Sequence, residues 1–353
     1  MSTTNVKTAP TSQPGPTQTS ALARSSQLLR GVGPQNISLL IALALLIIIF
    51  GVSAPETFFR PVNLISIASA VALLTVVALG ETLVILSGGL DISVNSMVGL
   101  ASVTSAWTLL HLGNNLILGL LTAVVVGTLA GLINGLIITV GRVNPVIATL
   151  GTLSAFQGIA YLISAGQTIP ILNPSYALIG TARVAQIPVT VIIAVVAAVL
   201  FFFVLRATDI GRNVYVLGGN PVAARLAGIR TQGYKMGIYA VCGFAAGIGG
   251  IILSSRTQNG LALGSSGLEL QAITAVVLGG AALTGGKGSI VGTIYGVLLI
   301  GILNNGLTVL NVQTFYQQVA TGLLLIIAVM IQQFRADKPW TLRLRARRTQ
   351  AGK

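Results

Sequence analysis

The amino-acid sequence predicts an all-α polytopic membrane protein with about ten transmembrane helices. Its 353 residues are 54% hydrophobic and only 7% charged, with a mean hydropathy of +0.90, whereas soluble domains carry about 25% charged residues. The 42 glycines and few aromatic residues are typical of closely packed membrane helices. This composition excludes a soluble enzyme, a nucleic-acid-binding protein and a disordered chain, despite a net charge of +14.

The two ends of the chain differ in composition from the rest. Residues 1–36 are rich in Thr, Ser, Gln and Pro and are too polar to bury a core, which predicts a disordered N-terminal tail. Residues 334–353 form a basic C-terminal tail. The transmembrane domain is therefore expected at 37–333.

Each crossing of a membrane by a helix needs roughly 20 apolar residues. The first apolar run is longer than the core of a secretory signal, so we interpret it as a membrane span. The predicted spans are 37–54, 62–83, 93–111, 116–138, 145–165, 187–205, 236–254, 268–284, 289–310 and 314–333.

Lysine and arginine residues are distributed unevenly between the two sides of these spans. With both termini in the cytoplasm, 17 of them lie on the cytoplasmic side and three, Arg60, Arg183 and Arg256, on the outer side. Cytoplasmic loops of membrane proteins carry such an excess of basic residues. The sequence therefore predicts a multi-pass plasma-membrane protein with both termini in the cytoplasm.

Glycines recur at every fourth position in two of the spans. Gly127, Gly131 and Gly135 form one series, and Gly243 with Gly247 begins another. Small residues at this spacing let membrane helices approach closely. The series predict a compact, tightly packed helix bundle.

Two sequence features of the first half of the chain recur in the second half. The segment Gly89-Leu90-Asp91 opens the third span, and the similar segment Gly267-Leu268-Glu269 opens the eighth. A second pair of similar segments, which contain glycine and asparagine, closes the fourth span at 131–136 and the ninth at 301–307. Because these spans run in opposite directions in the predicted topology, the similarity predicts an inverted repeat. In proteins with such repeats, the substrate path lies near the interface between the two halves.

Three of the six acidic residues, Glu81, Asp91 and Glu269, fall within or beside spans. A carboxylate at the bilayer centre costs about 2.5–3.5 kcal/mol, so such a residue usually faces a cavity or a partner. Asp91 and Asn95 are four residues apart and are expected to share a helix face, after a helix break at Gly88-Gly89. Two alternatives remain open: these residues cap helices at the membrane surface, or they are hydrogen-bonded structural anchors.

The sequence offers no catalytic, metal-binding or nucleotide-binding constellation. One cysteine, Cys242, and one histidine, His111, exclude a disulfide, a thiolate metal site and a histidine triad. The segment 285–289, Gly-Gly-Lys-Gly-Ser, has glycine after its lysine and lacks the first glycine of a phosphate-binding loop. We therefore expect no cofactor on this chain and no nucleotide hydrolysis by it.

The one long predicted cytoplasmic loop, 206–235, is too polar to span a membrane. Pro221, preceded by Asn220 as a cap, is expected to begin a short amphipathic helix over 222–229. This helix carries small residues that a second protein could cover, which suggests a docking element. The alternative is an interfacial helix anchored to anionic lipid.

This loop resembles that of permease subunits of bacterial ATP-binding-cassette sugar importers. The similarity is closest to the ribose, xylose, arabinose and galactose permeases of the carbohydrate uptake transporter-2 family. It rests on the segments 88–94, 131–135, 149–152, 208–213, 218–221, 223–229, 269–270, 275–280 and 317–318, and it covers about 37–333.

The resemblance implies a dimer of permeases in the bacterial inner membrane. Two cytosolic ATPase subunits would bind ATP and Mg, and an extracytoplasmic sugar-binding protein would deliver a monosaccharide. The residues that would form the coupling loop to the ATPase are Gly211, Arg212, Asn220, Ala223, Ala224, Arg225 and Gly228. We predict that the substrate path includes Asp91, Asn95, Asn134, Glu269 and Asn304.

The chain departs from the family pattern at several positions. Asn95 stands where the first signature has glycine, and Gln271 and Thr274 alter the second. These changes leave the substrate open, with autoinducer-2 and nucleosides as alternatives to sugar. An alternative of another class is a stand-alone ion-coupled carrier that uses Asp91 and Glu269. A third is a membrane scaffold or receptor component that transports nothing.

Overall fold

The computed structural model describes residues 34–265 and 267–337. The predicted tails, 1–36 and 334–353, lie outside these residues except where the first helix begins and the last one ends. The described helices are α1 (Pro34–Ser53), α2 (Pro55–Phe58), α3 (Pro61–Leu86), α4 (Val94–His111), α5 (Leu116–Thr139), α6 (Pro145–Ser164), α7 (Pro174–Thr181), α8 (Val189–Ala207), α9 (Asp209–Gly219), α10 (Pro221–Leu226), α11 (Thr231–Thr257), α12 (Leu268–Leu278), α13 (Ile290–Val309) and α14 (Thr314–Asp337).

The protein is all-α, as predicted, and seven of its described helices are long and apolar enough to cross a membrane. These seven are α3, α5, α6, α8, α11, α13 and α14. Each of the ten predicted spans contains a helix, but the apolar part of α1, Ile37–Ser53, and the helix α12 are too short to belong to the seven, and α4 does not belong to them either.

Local sequence explains where several helices begin. A proline occupies the first turn of α2, α3, α6, α7 and α10, where its missing N–H group needs no partner. The helices α5, α6, α7 and α10 are each preceded by an asparagine whose side chain accepts hydrogen bonds from the first-turn amides. Such caps satisfy backbone donors that the helix itself leaves free.

The two predicted glycine series pack against each other at the centre of the bundle. A Cβ atom on Gly127 would lie 2.5 Å from the Gly243 carbonyl oxygen and 2.8 Å from the Gly247 Cα. One on Gly135 would lie 2.8 Å from the Met236 Cα. The backbones of α5 and α11 are therefore in direct contact, which confirms the predicted tight packing.

We expect Gly131→Leu to prevent this close approach, because an added Cβ atom would overlap the Tyr239 carbonyl oxygen. Overpacking against backbone should lower the free energy of unfolding by about 3 kcal/mol or more. Gly151→Leu on α6 is the matched control, since a Cβ atom there meets nothing within 4 Å. Thermal unfolding of the two purified variants should separate them, and equal melting temperatures would contradict the packing role of Gly131.

The predicted helix break at Gly88-Gly89 is confirmed. The helix α3 ends at Leu86 and α4 begins at Val94, and the intervening residues are non-helical and mostly buried. Gly88 has a φ of +79°, a conformation that favours glycine. Irregular backbone is tolerated inside a membrane protein where other protein segments surround it.

The predicted span 268–284 is wrong in its extent. The helix α12 has 11 residues and ends at Leu278, a rise of about 16 Å that covers only half of a bilayer core. The helix is preceded by the extended segment 258–265. Hydropathy does not distinguish a short apolar helix with non-helical neighbours from a full-length helix, which is why the predicted span runs past Leu278.

The segment 258–265 runs antiparallel to α4 and in contact with it. The Leu261 amide donates to Ser102 Oγ at 3.0 Å, and the Ser265 amide donates to Asn95 Oδ1 at 3.0 Å. The first contact lies near the middle of α4 and the second lies at its start. Glu269 therefore lies well inside the bundle, beside the start of α4, rather than at the outer end of a span as the sequence predicted.

Two small antiparallel sheets close the end of the bundle opposite the loop 206–235. In one, β1 (Ile169–Pro170) pairs with β4 (Asn259–Gly260); in the other, β2 (Arg183–Val184) pairs with β3 (Ile187–Pro188). The first sheet ties the connection after α6 to the start of the extended segment. The sequence did not predict these two-residue strands.

Candidate functional site

A cavity of about 350 Å³ lies between the extended segment 258–265 and the start of α12. Its walls come from α4, α6, the extended segment with α12, and α14. Its lining combines polar side chains with a few leucines: Asn95, Ser96, Leu153, Gln157, Leu263, Gly267, Glu269, Leu270, Gln271, Gln318 and Thr321. Amides, hydroxyls and one carboxylate thus surround a single space inside a largely apolar bundle.

Asn95 and Glu269 meet at this cavity, although 174 positions separate them in the sequence. The Asn95 side chain is held by the extended segment: its Nδ2 donates to the Leu263 carbonyl oxygen at 3.2 Å. Gly264 has a φ of +65°, and a Cβ atom there would overlap Asn95 Oδ1. Glu269 Oε2 is buried and has no hydrogen-bond partner among the described residues, so it is available to a polar ligand.

Asp91 and Asn134 lie together in a separate, fully buried cluster. Asp91 Oδ1 accepts hydrogen bonds from the Ser93 amide at 2.9 Å and from Ser93 Oγ at 2.5 Å. Asn134 Nδ2 donates to Ser93 Oγ at 2.7 Å and to Asp91 Oδ2 at 3.3 Å. The cluster fixes the non-helical turn between α3 and α4.

Glu81 on α3 completes this cluster. Its Oε1 accepts a hydrogen bond from the Asp91 amide at 3.1 Å, and Cys242 Sγ lies 3.9 Å from its Oε2. Two acidic residues are thus neighbours in a space closed to solvent. The sequence indicates that Glu81 is an intramembrane acid, but it does not indicate the partner of Glu81, which lies on the far side of the helix break.

The expectation that Asp91 and Asn95 share a helix face is wrong. The helix α4 begins at Val94, so Asp91 lies before it, in the turn. Its carboxylate is directed into the buried cluster, whereas Asn95 faces the cavity. The buried cluster and the cavity therefore lie at opposite ends of the short segment that joins Asp91 to Asn95.

Asn304 lies apart from both groups. It is half-buried on α13 and does not line the cavity, and its Oδ1 atom is buried without a hydrogen-bond partner among the described residues. The neighbouring Asn305 exchanges two hydrogen bonds with Asn63 of α3, at 2.8 and 3.1 Å. This pair ties α13 to α3.

Sequence reasoning missed several of the cavity residues. Gln157 and Gln271 are half-buried amides on α6 and α12, and Thr321 lies on α14. Their signal was available: a glutamine within a run of apolar residues is as unusual in a membrane span as an acid. No group of three or more histidine, cysteine or acidic residues that could hold a metal occurs among the described residues.

The loop 206–235 folds into α9 and α10. Asn220 caps α10 as predicted, since its Oδ1 accepts from the Val222 and Ala223 amides at 3.1 and 3.0 Å. The helix is shorter than predicted because it ends at Leu226, and Gly228 follows with a φ of +80°. This left-handed glycine terminates the helix before the predicted end at 229.

The predicted coupling residues divide between the surface and the interior. Arg212, Asn220, Ala223, Arg225 and Gly228 are exposed, and Arg212 forms an ion pair with Asp209. Ala224 and Gly211 are buried. The predicted small-residue face is therefore incomplete, because Ala224 packs into this chain and is not available to a partner.

Three pairs of adjacent glycines meet where α9 packs against the end of α3. They are Gly88-Gly89, Gly218-Gly219 and Gly285-Gly286. The Gly286 amide donates to the Leu86 carbonyl oxygen at 2.9 Å. Side chains would separate these backbones, so glycine allows the loop, the helix break and the connection before α13 to touch. We call this contact the glycine junction.

Residues 63–329 match a protein family described as the permease component of branched-chain amino acid transport systems. The match covers most of the chain, including every helix that lines the cavity. No solved structure matches the chain significantly.

Several curated relatives are similar over nearly their whole length. A ribose import permease protein of Bacillus subtilis strain 168 is 38% identical over 301 residues, 85% of this chain and 93% of the relative. A D-allose transport system permease protein of Escherichia coli strain K12 is 33% identical, over 82% and 89%. An L-arabinose ABC transporter permease protein of Azospirillum brasilense is 34% identical, over 80% and 83%. These relatives confirm the predicted resemblance to sugar-importer permeases.

Proposed function

This chain belongs to the family of permease components of branched-chain amino acid transport systems, and from that membership we propose that it forms the translocation path of an ATP-binding-cassette importer for a ribose-like monosaccharide. The relatives named above are ribose, allose and arabinose permeases. As a permease subunit the chain is a non-catalytic membrane component. The stand-alone ion-coupled carrier is not favoured by these relatives.

The polar cavity is the observation that carries the proposal for the substrate. A monosaccharide presents hydroxyl groups that donate and accept hydrogen bonds, and the cavity offers amides from Asn95, Gln157 and Gln271 with the carboxylate of Glu269. Its volume of about 350 Å³ falls in the range of small-molecule sites. Asn95 and Glu269 contact the substrate directly, while Asp91 and Asn134 hold the turn that positions Asn95.

Two features of the loop support a docking role toward ATPase subunits that bind ATP and Mg. The helix α10 exposes Ala223 and Arg225, and Gly228 just after it is also exposed, while the glycine junction connects α9 to the interior of the bundle. A second permease copy completes the path, and an extracytoplasmic binding protein delivers the sugar. Asn304 remains a predicted path residue, on a helix outside the cavity.

The chain is a multi-pass inner-membrane protein. Both termini lie in the cytoplasm, a proposal that rests on the excess of lysine and arginine on the side of the loop 206–235. Ten crossings follow if α1, α4 and α12 with its extended segment each count as one. The similar segments 89–91 and 267–269 support an inverted repeat, since each adjoins non-helical backbone and leads into a helix.

The decisive experiment is purification of the tagged chain from native membranes, with mass spectrometry of the proteins that remain bound. An ATPase subunit in about equal amount, together with ATP-dependent uptake of ribose into vesicles, is expected. Recovery of a stable complex without any ATPase would overturn the importer proposal. ATP-dependent uptake of a nucleoside or of autoinducer-2 in place of any sugar would keep the importer and correct the substrate.

We expect Glu269→Gln to lower sugar uptake at least tenfold, which corresponds to about 1.4 kcal/mol of binding or transition free energy. The substitution removes the carboxyl group that faces the substrate cavity, whereas no intramolecular hydrogen bond of Oε2 is lost. Thermal stability should therefore match that of the wild type. Uptake at the wild-type rate would remove Glu269 from the path.

A further inference from the structure

A second, larger cavity opens on the surface of the bundle between α8, α9 and α11. It measures about 670 Å³ and is lined almost entirely by apolar side chains, including Phe201, Leu205, Ile210 and Phe244. Arg230 lies at one end of it, at the start of α11. It shares no lining residue with the polar cavity described above.

The floor of this groove is made by glycines. Gly233 and Gly237 lie four residues apart on α11, and a Cβ atom on either would meet nothing within 4 Å. These glycines therefore differ from those of the glycine junction and of the α5–α11 contact, where a side chain would strike backbone. The described part of the chain leaves this space open.

The dimensions of the groove match a lipid chain. It extends along α11 from Arg230 to Phe244, a rise of about 21 Å at 1.5 Å per residue. One leaflet of a bilayer core is about 15 Å thick, so an acyl chain that begins near Arg230 would fill the groove lengthwise. Apolar walls and a glycine floor suit a flexible hydrocarbon.

The charged end of the groove suits an anionic headgroup. Arg230 is exposed and takes part in no ion pair within residues 34–265 and 267–337. Arg206 lies on the same side of the bundle, with its guanidinium 5.6 Å from the centre of the Phe202 ring. Basic pockets between membrane helices on the cytoplasmic side are typical binding sites for anionic lipid headgroups.

We infer that this groove binds an anionic phospholipid, with one acyl chain along Gly233 and Gly237 and the headgroup phosphate paired with Arg230. The positive charge of Arg230 complements the anionic headgroup of a phospholipid, whereas a purely apolar occupant would leave this charge without a partner. A lipid bound there packs against α9 and α11 together and stabilises the loop relative to the bundle.

The test is native mass spectrometry of the purified full-length protein after delipidation and addition of phosphatidylglycerol or phosphatidylcholine. The wild type should retain one phosphatidylglycerol in preference to phosphatidylcholine. Gly237→Leu should lower the retained fraction at least tenfold, because it adds a side chain to the lining of the groove at a position where a Cβ atom meets nothing within 4 Å. Gly158→Leu is the matched control, since it adds the same side chain at another exposed, open position on α6.

A third variant tests the headgroup. Arg230→Gln should keep lipid binding but lose the preference for phosphatidylglycerol. Equal phosphatidylglycerol binding by Gly237→Leu and the wild type would overturn the inference. So would a conversion of dimers to monomers by Gly237→Leu with lipid binding unchanged, because it would assign the groove to a second copy of this chain.

Discussion

Gly218→Ala is expected to abolish ATP-dependent uptake and to lower the melting temperature, whereas Gly219→Ala at the next position should leave both unchanged. A Cβ atom on Gly218 would overlap the Leu86 carbonyl oxygen and lie 2.6 Å from the Gly286 amide nitrogen. One on Gly219 would meet only the Gly286 Cα, at 3.9 Å. The two substitutions are chemically identical and differ only in the backbone that the new methyl group meets.

The expected loss follows from what the glycine junction connects. The helix α9 belongs to the loop that we propose to dock on the ATPase, and α3 carries Glu81 of the buried cluster. Tyr215 of α9 donates its hydroxyl hydrogen to the Gly288 carbonyl oxygen at 3.0 Å. Burial raises the pKa of the Tyr215 hydroxyl, so it remains a donor at neutral pH. We therefore expect a movement of α9 to be passed to the turn that positions Asn95.

Both variants should be assayed for expression, melting temperature, sugar uptake and ATP hydrolysis by the assembled complex. A Gly218→Ala protein that folds and hydrolyses ATP without transport would show that the junction carries the coupling. One that fails to fold would show that the junction is needed for the fold. Wild-type uptake by Gly218→Ala would contradict the tight contact altogether.

The sequence was sufficient for features that depend on neighbouring residues. The proline and asparagine at 220–221 predicted the start of α10, and the double glycine at 88–89 predicted the helix break. Both depend on backbone chemistry within a few positions. The glycine series with its four-residue spacing is also a local pattern, and it predicted close packing. Which helix packs against it could be seen only in the structure.

The sequence was insufficient where distant segments meet. The contact of Asn95 with the segment 263–265 joins residues about 170 positions apart, and no local pattern encodes it. The half-length of α12 depends on the extended segment finding hydrogen-bond partners along α4, such as Ser102. The candidate site therefore appeared in the sequence as a list of unusual polar residues, and only the fold divides that list into a cavity and a buried cluster.

That division predicts opposite behaviour for the two groups, and Asp91 gives the sharpest case. Asp91→Ala should destabilise the protein by on the order of 3 kcal/mol or more, because the Ser93 amide, the Ser93 hydroxyl and Asn134 Nδ2 would all lose an acceptor in a sealed space. We expect little folded protein in the membrane. A Glu269→Ala variant, which alters the cavity only, should reach the membrane at normal levels and fail in uptake.

Asp91→Asn separates hydrogen bonding from charge. The asparagine keeps an oxygen for the two Ser93 donors and loses only the acceptor of the 3.3 Å hydrogen bond from Asn134 Nδ2, which still donates to Ser93 Oγ at 2.7 Å. It also removes one of two acidic groups that are neighbours in the buried cluster. Wild-type stability and sugar uptake are therefore expected, measured by melting temperature and vesicle transport. A stable Asp91→Asn protein without uptake would instead place the carboxylate itself in the transport step, and the buried cluster would then be part of the path and not its support.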